Sequence, residues 1–251
     1  MRADVTFLGH STVLVDMGGV RVLTDPVLFD RVTVLRRAVS PLPAELYRDV
    51  DAAVISHLHL DHFDIPSLRL LGPDATLIVP RGAGRLLRRE GFREVIELGR
   101  GESADVGSVT VTATLAAHSG FRPPFGPRAE AVGYLLDEGN ERVYFAGDTD
   151  VFEDMAGLTK IDLALLPVWG WGPRLGRGHM DPLRAAQSLR LLRPRAAVPI
   201  HWGTLWPLGM GRVMPHRLQR PPLEFARHAA RLAPEVSVLL TPPGETVPIP
   251  R

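Results

Sequence analysis

The amino-acid sequence predicts an α+β fold, an αβ/βα sandwich of two mixed β-sheets packed face to face with helices outside. Three observations predict it. Short β-rich runs occur in both halves of the chain and are separated by segments of helical periodicity. Several runs, at 52–55, 163–166 and 196–200, are apolar at nearly every position, which suits strands buried on both faces. With 251 residues, 45% of them hydrophobic and 23% charged, the chain has material for one large core. Its 23 prolines and 24 glycines punctuate the apolar runs and form no linker, so residues 1–251 read as a single domain.

Taken in order, residues 5–8, 12–15 and 20–23 are β-rich runs separated by Gly9-His10 and Gly18-Gly19, an antiparallel meander that Thr24-Asp25-Pro26 closes. The segment 27–50 mixes charges with two prolines and is expected to be a loop or short helix over the site rather than a sheet member. The runs 52–55 and 76–79 follow as buried strands. Ala83, Leu86 and Leu87 share one helical face, with Arg88 and Arg89 at its C-terminal end and Gly91 to stop it. Residues 95–98 return as a strand. Val109 and Val111 alternate with Thr110 and Thr112, a half-buried strand that runs on to Ala117. Residues 132–137 and 142–146 form a hairpin around Gly139-Asn140, and 163–166 is another buried strand. Asp181 caps a helix with Pro182 at its first position and Ala185, Leu189 and Leu192 on one face; Pro194 ends it. A strand at 196–200, a helix at 223–232 and a strand at 236–240 complete the chain.

The chemistry is densest directly after the run 52–55, in Ser56-His57-Leu58-His59-Leu60-Asp61-His62. Neutral imidazoles and a carboxylate suit zinc and its first-row neighbours, and a polar cluster this dense without a metal would bury several unpaired groups. His57-x-His59-x-Asp61-His62 resembles the signature loop of the metallo-β-lactamase superfamily of hydrolases. That family completes its site with a His, an Asp and a His at later strand ends, which implies His118, Asp148 and His201 here, and its fold is the sandwich predicted above. A histidine pair at i, i+2 in an extended loop can aim both rings at one ion, so His57, His59 and His118 are expected to form one site. Asp61 and His62 then serve a neighbouring ion with His201, and Asp148 bridges the two. The resemblance implies the same division.

His179-Met180-Asp181-Pro182, His201-Trp202-Gly203-Thr204, Gly9-His10-Ser11-Thr12 and Thr24-Asp25-Pro26 narrow the resemblance to the branch of N-acyl phosphatidylethanolamine phospholipase D and ascorbate-6-phosphate lactonase. The branch implies that His179 lies beside the metals as a catalytic or substrate-contacting residue. Asp25 is expected to take the second N–H of a metal-bound histidine, and His10 to stand behind the ligands in a core hydrogen bond.

Two divalent ions about 3.5–4 Å apart lower the pKa of a shared water and clamp the attacked group, so the expected nucleophile is a metal-bridged hydroxide. Asp61 is the expected orienter of that water or carrier of its proton. Zinc is the first expectation and manganese the second, with iron open; the sequence has no cysteine and so offers no thiolate. The expected function is metal-dependent hydrolysis of a phosphodiester-type bond in a small anionic molecule. A lactone or carboxylic ester hydrolase is the alternative, and a non-catalytic metal-binding or sensor module the further one. The phospholipase has a longer N-terminal region, so its lipid substrate does not carry over. Loops at 119–128 with Phe121, at 169–177 with Trp169 and Arg174, and at 205–216 are expected to wall the substrate pocket. A net charge of +1 gives no field to recruit nucleic acid. No run approaches the ~18 apolar residues of a membrane span, and a cytoplasmic location is expected. Oligomeric state is open.

Overall fold

The computed structural model describes residues 3–39, 42–72, 74–170, 175–209 and 218–250. One seven-stranded sheet runs in spatial order Thr246–Pro248, Asp4–Gly9, Thr12–Met17, Val20–Thr24, Ala52–Val54, Thr76–Pro80 and Val95–Leu98. The other runs Ser237–Val238, Ala196–Ile200, Leu163–Pro167, Arg142–Phe145, Val132–Asp137, Val109–Leu115 and Ser103–Val106. The two are built alike. Each opens along the chain with antiparallel neighbours and goes on to parallel strands; in the first sheet Thr246–Pro248 then returns antiparallel to Asp4–Gly9. The parallel strands Ala52–Val54, Leu163–Pro167 and Ala196–Ile200 are buried at every position, which is why they read as unbroken apolar runs.

Between the sheets lies a core that includes Val5, Phe7, Val15, Val54, Val111, Tyr134, Phe145 and Val198. A second apolar layer packs Ile65–Arg69 and Gly84–Arg89 onto the outer face of the first sheet through Leu68 and Leu87. A third packs Pro182–Leu192 and Arg220–Leu232 onto the second through Leu189 and Phe225. The expected cap is present: the Asp181 carboxylate accepts the Arg184 N–H at 2.8 Å, with Pro182 in the first turn. The last helix starts three residues earlier than its apolar pattern, since Pro221 and Pro222 sit in a first turn whose N–H groups have no intrahelical partner anyway. Among the described residues no helix is long and apolar enough to cross a membrane.

The segment 27–50 departs from expectation. Arg31–Val32 and Leu35–Arg37 form a hairpin whose second strand pairs with Leu205–Pro207, giving a third, three-stranded sheet; among the segment's described residues only Ala44–Leu46 is helical, as one 3-10 turn. Val32 and Leu35 pack with Val27 and Leu205, so the pairing rests on a strand about 170 residues away that local sequence does not announce. Ser103–Val106, Thr246–Pro248 and the helix Ile65–Arg69 were likewise not foreseen.

The fold brings the ends of both sheets' strands together. The histidine loop follows Ala52–Val54, His118 follows Val109–Leu115, Asp148 follows Arg142–Phe145 and His201 follows Ala196–Ile200. At the join, Val132 donates its N–H to the Ser56 carbonyl at 3.0 Å. Gly147 has φ +60°, and a Cβ there would lie 2.6 Å from Ser56 Cβ. A Gly147→Ala substitution is therefore expected to cost about 1–3 kcal/mol through overpacking, read from the urea midpoint of the parent and variant. An unchanged midpoint would show that the sheet ends do not press on each other there.

Candidate metal centre

Hydrogen bonds to groups that can only accept, or are already committed as donors, fix the tautomers of the three-histidine group. His59 Nε2 lies 3.0 Å from the Phe121 carbonyl and therefore donates, leaving Nδ1 as the bare nitrogen of a neutral ring. His118 Nδ1 donates to the Gly178 carbonyl at 2.8 Å, leaving Nε2 bare. Those two bare nitrogens face each other at 3.2 Å. For His57 the argument runs through Ser56: its Oγ donates to Asp25 Oδ2 at 2.6 Å, so it accepts from His57 Nδ1 at 3.0 Å. His57 Nε2 is then bare, buried, and without a hydrogen-bond partner. Three lone pairs thus point at one another, and their ligand atoms all lie within 4.8 Å. Such an arrangement is repulsive alone and satisfied by a cation, so the residues present fit a metal.

Beside it stands a more acidic group. His62 donates Nδ1–H to Asp25 Oδ2 at 2.6 Å and turns Nε2 toward His201 Nε2 at 3.2 Å, Asp61 Oδ2 at 3.3 Å and Asp148 Oδ2 at 3.4 Å. His201 Nε2 is 3.3 Å from Asp148 Oδ1. Asp148 also reaches His179 Nε2, at 3.5 Å, and groups with His118, so it stands between the two halves. His10 Nε2 meets Asp61 Oδ2 at 3.0 Å. The structure thus gathers His57, His59, Asp61, His62, His118, Asp148, His179 and His201, with Asp25 and His10 directly behind them.

The substrate-pocket residues fare differently. Phe121 is half-buried and contributes its carbonyl to His59. Trp169 is buried and stacked on Trp206, ring centroids 5.2 Å apart, as a packing anchor. Arg174 lies outside the described residues. Arg122, in the expected pocket loop 119–128 and of a residue type that could meet a phosphate, instead donates to the Leu58 and Phe63 carbonyls and lies over the Phe63 ring, so it clamps the histidine loop from the far side. Sequence reasoning missed Ser56, the Gly178 carbonyl and Thr204, whose Oγ1 accepts the His10 N–H at 3.0 Å. Ser56, in the histidine run, and Thr204, in His201-Trp202-Gly203-Thr204, carried a signal as residues though not in these roles; the Gly178 carbonyl carried none.

Residues 20–202 match the beta-lactamase superfamily domain, a span that takes in every expected ligand from His57 to His201. The chain is 35% identical over 254 residues to a metal-dependent hydrolase of Rubrobacter xylanophilus, covering 96% of this chain and 94% of that protein. It is 34% identical over 230 residues to N-acyl-phosphatidylethanolamine-hydrolyzing phospholipase D 1 of Caenorhabditis elegans; the match covers 81% of this chain but only 64% of that longer protein. Among solved structures, the metallo hydrolase Igni18 of Ignicoccus hospitalis superposes with a TM-score of 0.78 at 25% identity, over 100% of both chains. An isothiocyanate hydrolase from Delia radicum gut bacteria shares the fold, with a TM-score of 0.75 at 20% identity over 97% of this chain and 98% of that one.

The two groups also differ in charge. Burial lowers the pKa of His57, His59 and His118, the last to about 4, so these rings are neutral near pH 7. Burial opposes charge on His62 and His201 too, but Asp148 and Asp61 outweigh it, holding His62 well above the usual histidine range and His201 up to about 9. A raised folded-state pKa stabilises the metal-free protein fully below the ordinary 6.5 of histidine, and that contribution is lost as pH rises through about 9. Metal uptake by the three-histidine group at neutral pH is expected to release no protons from its rings, and so fewer in all than uptake by the acidic group, whose imidazoles must give theirs up. Calorimetric metal titrations at pH 7 in buffers of different ionisation enthalpy measure this. Equal proton release for the first and second equivalents would refute the assignment of charge.

Proposed function

Because the chain belongs to the metallo-β-lactamase superfamily, as one of its metal-dependent hydrolases, we propose that it cleaves a phosphodiester-type bond in a small anionic substrate with two divalent ions. The convergence of bare imidazole nitrogens and two carboxylates at one buried end of the sandwich carries this reading. Similarity to a phospholipase D over 81% of the chain supports the phosphodiester class. Nitrogen and oxygen donors without thiolate favour zinc, then manganese.

In this reading His57 Nε2, His59 Nδ1 and His118 Nε2 would hold one ion, and Asp61, His62 Nε2 and His201 the other, with Asp148 standing between the two groups. The ions supply Lewis acidity and lower the pKa of water toward neutrality. The chain does the rest. Asp25 locks His62 with Nε2 toward the site by accepting at Nδ1. Asp61, facing the cluster through Oδ2, takes the proton of the attacking water. His179 is half-buried at the mouth and precedes the N-terminus of Pro182–Leu192, whose partial positive charge favours an anionic group; it contacts the scissile group and protonates what leaves.

The test is hydrolysis of bis(p-nitrophenyl) phosphate by chelator-stripped protein reloaded with zinc or manganese. Turnover should return with metal, and Asp61→Asn and His179→Ala should each lower kcat by about 10²–10⁴-fold. Turnover that ignores the chelator refutes the metal mechanism. Metal-restored turnover of a lactone and not of the diester moves the bond class and leaves the centre as described.

A further inference from the structure

We propose that His10 is a positioning residue that acts on one ion only: its Nε2–H holds Asp61 in place for the acidic half of the centre. This rests on the two-ion reading above and deepens it. Three imidazole nitrogens lie near Asp61 Oδ2, with His10 Nε2 nearest at 3.0 Å, then His62 at 3.3 Å and His201 at 3.6 Å. His10 shares a group of four potential ligands with Asp61, His62 and His201, but it alone stands at 3.0 Å from Asp61 Oδ2, in hydrogen-bond range of a carboxylate that accepts, with the other two rings farther off. Nε2 therefore carries a proton and has no lone pair for an ion. His10 supports a ligand and is not one.

Its own position is over-determined. The His10 N–H goes to Thr204 Oγ1 at 3.0 Å, and its carbonyl accepts the His201 N–H at 2.7 Å. Its ring lies against that of His201 with centroids 3.9 Å apart. The backbone is left-handed, φ 56°, a conformation that a non-glycine residue keeps only when its surroundings enforce it. Gly9 before it has φ 116° and lets Thr204 close in, since a Cβ there would meet Thr204 Oγ1 at 2.4 Å. Thr204 is anchored in turn, its carbonyl accepting the Ala38 N–H at 2.6 Å from beside the three-stranded sheet. The contacts just named, among the described residues, do not include His57, His59 or His118. The outer N–H groups of His57, His59 and His118 go to Ser56, Phe121 and Gly178.

Glutamine places an amide nitrogen where Nε2 stands, and asparagine places it at the level of Nδ1, one bond short. Parent, His10→Gln and His10→Asn proteins are loaded with zinc, and the ions retained per chain are measured against rising concentrations of a competing chelator. His10→Asn is expected to keep the first ion at parent affinity and to bind the second about 10–100-fold more weakly, with His10→Gln close to the parent. Thr204→Val, which removes the acceptor of the His10 N–H and leaves every imidazole, should weaken the same ion alone, and it decides the matter if His10→Asn does not fold. Parent-like retention of both ions in His10→Asn, or equal weakening of both ions in either variant, overturns the proposal. A parent that takes up one ion or none overturns the two-ion reading beneath it.

Discussion

Asp25 is the group on which the centre depends. Fully buried, it accepts the Ser56 N–H at 2.7 Å, the Ser56 hydroxyl at 2.6 Å and the His62 Nδ1–H at 2.6 Å. A carboxylate in such a place is costly unless its oxygens are filled, and burial raises its pKa even as His62 and Ser56 pull it down. The two side-chain bonds do different things. The bond from His62 turns that ring's Nε2 inward. The bond from Ser56 commits the hydroxyl as a donor, so that the same oxygen must accept from His57 Nδ1 and expose His57 Nε2. One carboxylate thus sets the tautomer of a histidine in each half of the centre. Its own place comes from the opening meander: the Asp25 N–H bonds the Val54 carbonyl at 2.9 Å, and the Thr12 hydroxyl bonds the Asp25 carbonyl at 2.8 Å.

What was legible in the sequence follows from this hierarchy. Parallel strands covered on both faces are apolar throughout, so 52–55, 163–166 and 196–200 announced themselves, and the polar residues directly after the first and last of these runs marked the site. Two of the edge strands did not. Ser103–Val106 has one buried position in four, and Thr246–Pro248 has none, so neither leaves an apolar signature. The hairpin at 31–37 is short, and its partner strand comes from the far end of the chain.

The same division holds within the site. Imidazoles and carboxylates are visible as residue types, whereas the carbonyls of Phe121 and Gly178, which decide how His59 and His118 face, are backbone atoms that any residue supplies. Arg122 and Trp169 show the converse. Their residue types fit a substrate pocket, and their surroundings turn them to holding loops and packing.

The histidine loop, Asp25 and His10 come from the first sheet, while His118, Asp148, His179 and His201 come from the second. Each half of the centre therefore draws on both layers, with His59 meeting His118 and His62 meeting His201 across the seam. Apolar contact between two sheets is non-directional and tolerates a small slide; coordination is directional and does not. An ion held in either half would act as a rivet, fixing the registry of one layer on the other. Shear between the sheets and the spacing of the reactive groups become a single mechanical coordinate.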